Sequence, residues 1–210
     1  MRLKNVRGAK EIINASQYIV EDPFVYLGKY QQLFNNNNPI EIEIGMGKGD
    51  FIIGKALKNP NINYIGIEKF DSVIVRAIQK LESLDLKNLK LIRMDALDID
   101  KVFNKEIDTL YLNFSDPWPK NRHEMRRLTS KIFLKKYENL FKDKPCIIQK
   151  TDNRKLFEFS IISYVENGYK IDEISLDLYK DDTKDNIATE YEKRFVSLGQ
   201  TIFMVKVSRH

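Results

Sequence analysis

The sequence is poor in the residues that form disulfides and metal sites. Its 210 residues include one cysteine, Cys146, and two histidines, His123 and His210. A single thiol cannot form an intramolecular disulfide, which is typical of a reducing compartment, so we expect a cytoplasmic protein. These three widely spaced side chains provide no recognisable set of metal ligands, and no metal site is predicted.

The sequence also lacks long apolar runs. The longest, such as Thr201–Val207, are far too short to cross a bilayer, and no apolar stretch typical of a secretory signal follows Met1–Lys10. We therefore expect no membrane partner. Basic residues are in excess, giving a net charge of +5, and this favours an anionic partner. They form two groups: Arg2, Lys4, Arg7 and Lys10, then Arg122, Arg126, Arg127, Lys131, Lys135 and Lys136.

From residue 40 onward, strand and helix patterns alternate, which predicts an α/β fold with a mostly parallel sheet. Strands are predicted at Ile40–Ile44, Asn61–Ile67, Leu89–Arg93, Thr109–Phe114 and Cys146–Lys150. Helices are predicted at Phe51–Lys58, Ser72–Leu84, Leu128–Leu140, Lys155–Glu166 and Thr189–Phe195. Two further β-patterned segments are expected to form an antiparallel edge pair: Ile171–Leu178 and Gln200–Ser208. Residues 1–39 are expected to be an N-terminal extension, a basic arm plus a short helix at Phe24–Phe34, and residues 40–210 one domain.

A glycine-rich turn follows the first predicted strand. Gly45, Gly47 and Gly49 lie between this strand and a helix, where the backbone must turn sharply and approach a ligand closely. Their spacing differs from that of a dinucleotide-binding turn. Glu43 precedes the turn, and its carboxylate would repel a pyrophosphate but suit a cationic group. The pattern favours S-adenosylmethionine (SAM), whose amino group and sulfonium are both cationic.

Two further acids follow the next two strands. Glu68 comes about 20 residues after the glycines, at the position that holds a ribose hydroxyl pair. Asp95 could accept a hydrogen bond from an adenine amino group, with the backbone NH of Ala96 nearby. Since ligands bind at the carboxyl ends of strands in open α/β sheets, we interpret these acids as part of a SAM site.

The fourth predicted strand ends in a proline-rich loop, Ser115–Lys120, that carries Asp116, Trp118 and Lys120. The two prolines stiffen this loop and are expected to bias Asp116 and Trp118 toward extended backbone. Trp118 is a candidate surface for stacking on a base, and a structural wedge is equally plausible. The basic residues Arg122–Arg127 follow directly.

Together these motifs resemble the bacterial tRNA (guanine-N7-)-methyltransferase family over nearly the whole chain. They are Gly45–Gly49, Ser115–Lys120, the basic stretch after it, Thr151–Asp152 and Thr189–Glu192. The resemblance implies a Rossmann-like class I SAM-dependent methyltransferase that modifies guanine 46 in the tRNA variable loop and releases S-adenosylhomocysteine. It implies that the SAM pocket includes Glu43, Gly45, Gly47, Gly49, Glu68, Asp95, Ala96 and Asp116. It assigns substrate contacts to Lys120, Asp152, Thr189, Glu190, Tyr191 and Glu192, and RNA contacts to Arg122, His123, Arg126 and Arg127.

The chemistry of guanine N7 is consistent with these residues. N7 has a lone pair and no proton, so no general base is needed, and catalysis can depend on positioning and electrostatics. Asp116, the candidate catalytic residue, could stabilise the cationic purine that forms. The target must be looped or flipped out, because the deep major groove of A-form RNA excludes side chains. Tyr191 and Phe195, one helical turn apart, are expected to pack inward.

Three other functions are considered. Another class I methyltransferase, acting on an amino or amide group, would usually carry an Asn-Pro-Pro-Tyr-like loop, which differs from Ser115–Trp118. A SAM-binding RNA-binding module without activity would share the same acids. An NAD oxidoreductase is disfavoured by the glycine spacing and by Glu43. The sequence leaves open whether the protein is a monomer or a homodimer, and whether the N-terminal basic group covers the site or binds tRNA.

Overall fold

The computed structural model describes residues 6–181 and 186–209, so Arg2 and Lys4 of the predicted basic arm lie outside the described residues. Its strands are β1 (Ile40–Ile44), β2 (Asn63–Glu68), β3 (Leu89–Arg93), β4 (Thr109–Asn113), β5 (Cys146–Thr151), β6 (Lys170–Ser175) and β7 (Phe203–Ser208). They form one seven-stranded sheet in the order β3-β2-β1-β4-β5-β7-β6. The α/β fold and the strand positions predicted from the sequence are confirmed, with ends that differ by a few residues.

Helices cover the sheet. The α-helices are α1 (Ala9–Ala15), α2 (Asp50–Lys58), α3 (Asp71–Leu81), α4 (Lys131–Tyr137), α5 (Arg154–Glu166) and α6 (Glu190–Ser197). Short 3-10 helices span Pro23–Tyr26, Tyr30–Leu33, Ala96–Lys101 and Asn121–Arg126. Within the described part of the chain, no helix is long and apolar enough to span a membrane.

One predicted helix is wrong. The segment Phe24–Phe34 was expected to be helical, but it forms two separate 3-10 helices with Gly28 between them. Gly28 has φ +71, a left-handed conformation that interrupts a right-handed helix. The helix α1, which lies before this segment and packs against α3, was not predicted.

The direction of the strands brings the candidate site residues to one edge. Strands β1, β2, β3, β4 and β5 are parallel to one another, whereas β7 is antiparallel to both β5 and β6. The predicted antiparallel pair is therefore confirmed, with β7 inserted between β5 and β6. Because β1, β2, β4 and β5 run in one direction, their C-terminal ends meet where ligands bind in open α/β sheets.

Both faces of the parallel part of the sheet are buried, as expected for parallel strands covered by helices, whereas the edge strand β6 is largely exposed. The side chains of β2 alternate between the two faces: Ile65 and Ile67 pack in one apolar cluster and Tyr64 packs in the other. On β1, Ile40 and Ile42 are fully buried in the first cluster. These strands form a rigid base for the turns that follow them.

The N-terminal segment is attached to the edge strand β3 and to the chain just before β4. The backbone NH of Val20 donates to Leu91 O at 2.9 Å, and Leu91 NH donates to Tyr18 O at 2.7 Å. The carboxylate of Glu106 accepts hydrogen bonds from the backbone NH groups of Gly28 and Tyr30, both at 2.9 Å. The segment is thereby tied to the sheet by hydrogen bonds as well as by apolar contacts.

Replacing Glu106 with alanine is expected to loosen this attachment. The free energy of unfolding should fall by about 2–3 kcal/mol, because the backbone NH groups of Gly28 and of the buried Tyr30 lose a charged acceptor. Glu166→Ala, at the exposed end of α5, is the matched control and should change it by less than about 0.5 kcal/mol. Urea unfolding followed by circular dichroism measures both. Equal stabilities for the two variants would contradict the attachment inferred for Glu106.

Candidate active site

A cleft lies at the C-terminal ends of β1 and β4, between the N-termini of α2 and α6. Its volume is about 330 Å³. The wall includes Glu43, Gly45, Gly47, Asn113, Phe114 and Tyr191. The glycine turn, the end of β4 and the start of α6 are far apart in sequence, and the sheet topology brings them together here.

The glycine turn leaves open space next to its backbone. Gly45 and Gly47 have φ of +75 and +57, and a Cβ atom built on either would meet no other atom within 4 Å. The turn folds back onto β2, because the NH groups of Gly45 and Met46 donate to Ile67 O at 2.9 and 3.0 Å. The structure therefore provides the close, side-chain-free approach that the sequence predicted at this turn.

Gly49 has a different role from the other two glycines. It is the N-cap of α2, with φ +79. A Cβ atom here would lie 3.0 Å from Cβ of Ala77 on α3. Gly49 thus allows α2 and α3 to pack closely, and its place in a SAM site stays a prediction.

Glu43 is a buried carboxylate with an incomplete set of partners. Its side chain is 1% exposed. Nδ2 of Asn113 donates to Oε1 at 2.8 Å, while Oε2 has no hydrogen-bond partner among the residues that the structure describes. Burial raises the pKa of Glu43 to about 7, although the bond from Asn113 and the charge of Lys150 oppose the shift. A cation in the cleft would pair with this oxygen and favour its ionised form.

Glu68, the last residue of β2, is hydrogen-bonded to the glycine turn. Its Oε2 accepts from Gly47 NH at 3.1 Å, and its Oε1 accepts from Lys69 NH and Phe70 NH at 2.8 and 3.0 Å. Burial raises the pKa of Glu68, and the negative charge of Asp116 adds to this effect. Glu68 therefore orders the turn, and its contact with a ribose stays a prediction.

Asp95 begins the 3-10 helix that starts at Ala96. It accepts from Leu97 NH at 3.0 Å and forms an ion pair with Lys69. Burial raises its pKa, but the hydrogen bonds from Lys69 and from the NH of Leu97 more than offset this, so the pKa is lowered. Asp95 is thus an ionised acceptor at the end of β3, at the position predicted for adenine recognition.

The loop after β4 has an unusual backbone. Phe114 and Trp118 both have positive φ angles, +51 and +42, which place them in the left-handed region. Asp116, between them, is exposed. The expected extended conformation of Trp118 is therefore wrong. Local preference is overridden by contacts from Arg127, whose Nε and Nη2 donate to the carbonyls of Pro117 and Trp118 at 3.0 and 3.1 Å.

The basic stretch lies beside this loop. Lys120, Arg122 and Arg126 are exposed, and the guanidinium of Arg126 lies 5.0 Å from the ring of Trp118. His123 meets Trp118 edge-to-face at 5.8 Å between ring centroids. These side chains form an aromatic and cationic surface, and their contact with RNA stays a prediction.

The start of α6 forms the opposite wall of the cleft. Thr189 caps the helix by accepting from Glu192 NH at 2.9 Å, and Glu190 pairs with Lys48 of the glycine turn at 2.8 Å. Tyr191 is 44% exposed, so the expectation that it packs inward is wrong. Its ring stacks on Phe195 at 4.2 Å and therefore presents an aromatic surface at the cleft.

The hydroxyl of Tyr191 also links α6 to β5. It donates to Oδ2 of Asp152, the residue directly after β5, at 3.3 Å. The structure thus brings Asp152 and Tyr191, both predicted to contact the substrate, to one side of the cleft. Their role in substrate recognition remains a prediction.

Glu192, a predicted substrate contact, is engaged in a buried network. It is fully buried, and its Oε2 accepts from Nζ of Lys150 at 2.7 Å. Its Oε1 accepts from Asn186 Nδ2 at 2.6 Å and from the hydroxyl of Tyr179 at 3.1 Å. Both oxygens are engaged within the protein, so Glu192 supports the cleft wall here, and its contact with a substrate stays a prediction.

Several residues in or beside the cleft were not predicted from the sequence to belong to the site. Asn113, Phe114, Lys48 and Lys150 lie in or beside the cleft, and Lys150 is 4% exposed. Burial lowers the pKa of Lys150, and attraction to Glu192 offsets part of this shift. A lysine within a predicted buried strand, after Ile147 and Ile148, was the available signal, because a buried charge needs a partner.

The strand order, the inserted antiparallel β7 and the glycine turn define a Rossmann-like class I SAM-dependent methyltransferase fold. The crystal structure of a SAM-dependent methyltransferase from Aquifex aeolicus aligns with a TM-score of 0.57 at 14% identity, covering 99% of this chain and 100% of that one. The 16S rRNA methyltransferase KamB aligns with a TM-score of 0.66 at 13% identity, covering 87% and 93%. At such identities these likenesses show the fold alone.

Sequence comparison identifies the family. Residues 37–205 match a family described as putative methyltransferases. The tRNA (guanine-N(7)-)-methyltransferase of Bacillus velezensis is 50% identical over 209 residues, covering 99% of this chain and 96% of that relative. The chain belongs to the tRNA (guanine-N(7)-)-methyltransferase family, and the predicted resemblance is confirmed.

Replacing Lys150 with methionine is expected to destabilise the protein strongly. The carboxylate of Glu192 would stay buried without its cation, which costs about 3–5 kcal/mol. The control is Arg154→Met, which breaks the exposed pair of Arg154 with Glu158 on α5 and should cost about 0.3–0.5 kcal/mol. Urea unfolding measures the difference. If the two variants were equally stable, the buried pair would not hold the cleft wall.

Proposed function

We propose that the protein transfers a methyl group from SAM to N7 of a guanine in tRNA, forming 7-methylguanosine and S-adenosylhomocysteine. The observation that carries this proposal is the buried oxygen of Glu43, which lies beside the open glycine turn and has no partner among the described residues. It occurs in a chain whose relatives are named tRNA (guanine-N(7)-)-methyltransferase. Guanine 46 is the target proposed from the family resemblance.

The residues of the cleft fit the methionine part of SAM. Glu43 offers a carboxylate to the ammonium group, and Oδ1 of Asn113, unpartnered among the described residues, offers a second acceptor beside it. Gly45 and Gly47 allow the ligand to approach the backbone. Beyond the turn, Glu68, Asp95 and Ala96 are proposed to line the part of the site that takes the adenosine.

SAM supplies an electrophilic methyl group on a sulfonium. The chain then needs to orient N7 in line with that methyl group and to stabilise the positive purine, since N7 has no proton to remove. We assign the electrostatic part to Asp116, whose side chain is exposed on the loop after β4. Asp152 and Tyr191 are proposed to hold the guanine from β5 and α6.

The tRNA is proposed to bind along the surface that leads to Asp116. Lys120, Arg122 and Arg126 can contact phosphates, while Trp118 offers a ring to an unstacked base. Thr189 and Glu190 lie at the cleft entrance. Because A-form RNA hides N7 in a narrow groove, the guanine is expected to reach the cleft only when it is turned out of its stack.

Glu43→Gln tests the cofactor site through its pH dependence. A carboxyl with a folded-state pKa of about 7 makes the wild-type protein lose stability as pH rises from the ordinary carboxyl pKa toward 7, because the unfolded chain ionises more easily. The variant should therefore be more stable than wild type at pH 7.5, with the difference shrinking as pH falls toward 5. Thermal unfolding of the ligand-free proteins between these pH values measures it.

The same variant should bind SAM more weakly. Wild-type affinity is expected to rise as pH increases from 5.5 to 7.5, through the pKa of about 7, as Glu43 ionises. Glu43→Gln would lose this pH dependence and about 10-fold or more in affinity at pH 7.5, the size of a charge-assisted hydrogen bond. Isothermal titration calorimetry measures both quantities. A variant that binds SAM as tightly as wild type at pH 7.5 would remove Glu43 from the site.

Asp116→Ala tests the reaction itself. Labelled SAM and unmodified tRNA, followed by nucleoside mass spectrometry, should give 7-methylguanosine with the wild-type protein. The variant should lose about 100-fold in turnover, since it lacks the charge that stabilises the purine cation. Asp143→Ala, at an exposed position on a distant loop, is the control and should keep its activity.

The products distinguish the proposed function from its alternatives. Transfer to a different nucleoside would keep the fold and cofactor but reject the N7 assignment. SAM binding without transfer to any tRNA would favour an RNA-binding module without activity. Normal turnover of Asp116→Ala with unchanged SAM affinity would remove the catalytic role of Asp116 alone.

A further inference from the structure

The loop that carries Asp116 has a backbone that its own sequence disfavours. Trp118 lies between Pro117 and Pro119, and a residue before proline prefers extended backbone. Its φ is instead +42, a region that non-glycine residues rarely adopt. Such a conformation persists only where the surrounding structure holds it in place.

Arg127 holds this backbone. Its guanidinium donates from Nε to the carbonyl of Pro117 at 3.0 Å and from Nη2 to the carbonyl of Trp118 at 3.1 Å. The guanidinium also lies over the ring of Phe159 on α5, with 4.3 Å between its carbon and the ring centroid. The side chain is half-buried and connects α5 to two consecutive peptide carbonyls of the loop.

We propose that Arg127 is a positioning residue, which fixes the loop so that Asp116 and Trp118 face the substrate, and that it is not primarily an RNA contact. This inference rests on the proposed function for the reaction that Asp116 serves. Arg122 and Arg126, five and one residues earlier, are exposed and remain available to contact phosphate. The basic stretch therefore has two roles: its exposed members bind RNA, and its last member orders the loop.

Substitution of Arg127 by lysine distinguishes a role in positioning the loop from a role as a phosphate contact. Lysine keeps the positive charge, but its single ammonium cannot donate in a fixed fork to two carbonyls or stack flat on an aromatic ring. A phosphate contact would tolerate Arg127→Lys, whereas the positioning role would not. Arg122→Lys and Arg122→Ala are the matched controls on the same stretch.

The first experiment measures kcat for methyl transfer to tRNA. Arg127→Lys and Arg127→Ala are both expected to lower kcat by about 10- to 100-fold, since small displacements of catalytic groups cost this much. The salt dependence of tRNA binding should stay near wild type, because no phosphate contact is lost. Arg122→Ala should instead weaken tRNA binding and reduce the slope of log K against log salt by about 1.

The structural arm depends on Trp118 being the only tryptophan of the chain. Labelling with 5-fluorotryptophan gives one ¹⁹F resonance that reports on this loop. In Arg127→Lys the resonance should shift and broaden, with circular dichroism unchanged; in Arg122→Lys it should match wild type. This arm is independent of the reaction, so a wild-type protein that methylates no tRNA would reject the proposed function and still leave the loop role decided.

Two results would overturn the proposal. One is an unaltered ¹⁹F resonance in Arg127→Lys, whatever its turnover. The other is wild-type kcat in Arg127→Lys together with weakened, less salt-dependent tRNA binding in Arg127→Ala, which would make Arg127 a phosphate contact.

Discussion

The buried ion pair between Lys150 and Glu192 is the interaction on which the cleft depends. Lys150 is the second-last residue of β5, and Glu192 lies in the first turn of α6, 2.7 Å away. Nζ of Lys150 also donates to Asn186 Oδ1 and to the carbonyl of Ile187, so the approach to α6 is bound to the same point. Glu192 in turn completes the capping box with Thr189. The pair thereby fixes where α6 begins relative to the sheet.

Such a buried ion pair contributes more to the conformational specificity of the fold than to its free energy of unfolding. Removing two charges from water costs as much as their attraction returns, but leaving either charge alone is far more costly. The fold therefore admits few alternative positions for α6. This matters because Tyr191 and Glu190, adjacent to Glu192, reach the cleft only from this register. Burial of the pair therefore also fixes the position of Glu190 and Tyr191, the two residues of α6 proposed to face the substrate.

Sequence reasoning was most successful where local chemistry decides the structure. The alternating isoleucines of Ile40–Ile44 and the glycines that follow specify a strand and a tight turn with few alternatives, and both are found. It was wrong for Phe24–Phe34, where one short helix was predicted and Gly28 interrupts it. It was also wrong about the extended backbone of Trp118 and the inward packing of Tyr191, and it missed the complete burial of Glu192.

These three errors share a physical cause. Trp118 is held by Arg127, Tyr191 by stacking on its neighbour Phe195 and by its bond to Asp152, and Glu192 by a lysine far away in sequence. Each depends on a contact between segments, and propensities describe only one segment at a time. Functional roles assigned from family motifs have the same limit, because a motif gives the residue type without saying which way it faces.

Two carboxylates of the site have opposite environments, and the proposed reaction explains why. Glu43 is buried in surroundings that raise its pKa, so it gains most from a ligand that carries its own positive charge. Asp116 is exposed on a loop and stays solvated until a substrate covers it. An attack by N7 needs no proton transfer, so neither group is required as a base, and their charges are free to serve binding and stabilisation separately. Asp116, the carboxylate proposed to stabilise the transient cation, needs a fixed position for that role, and the backbone on either side of Pro117 sets this position.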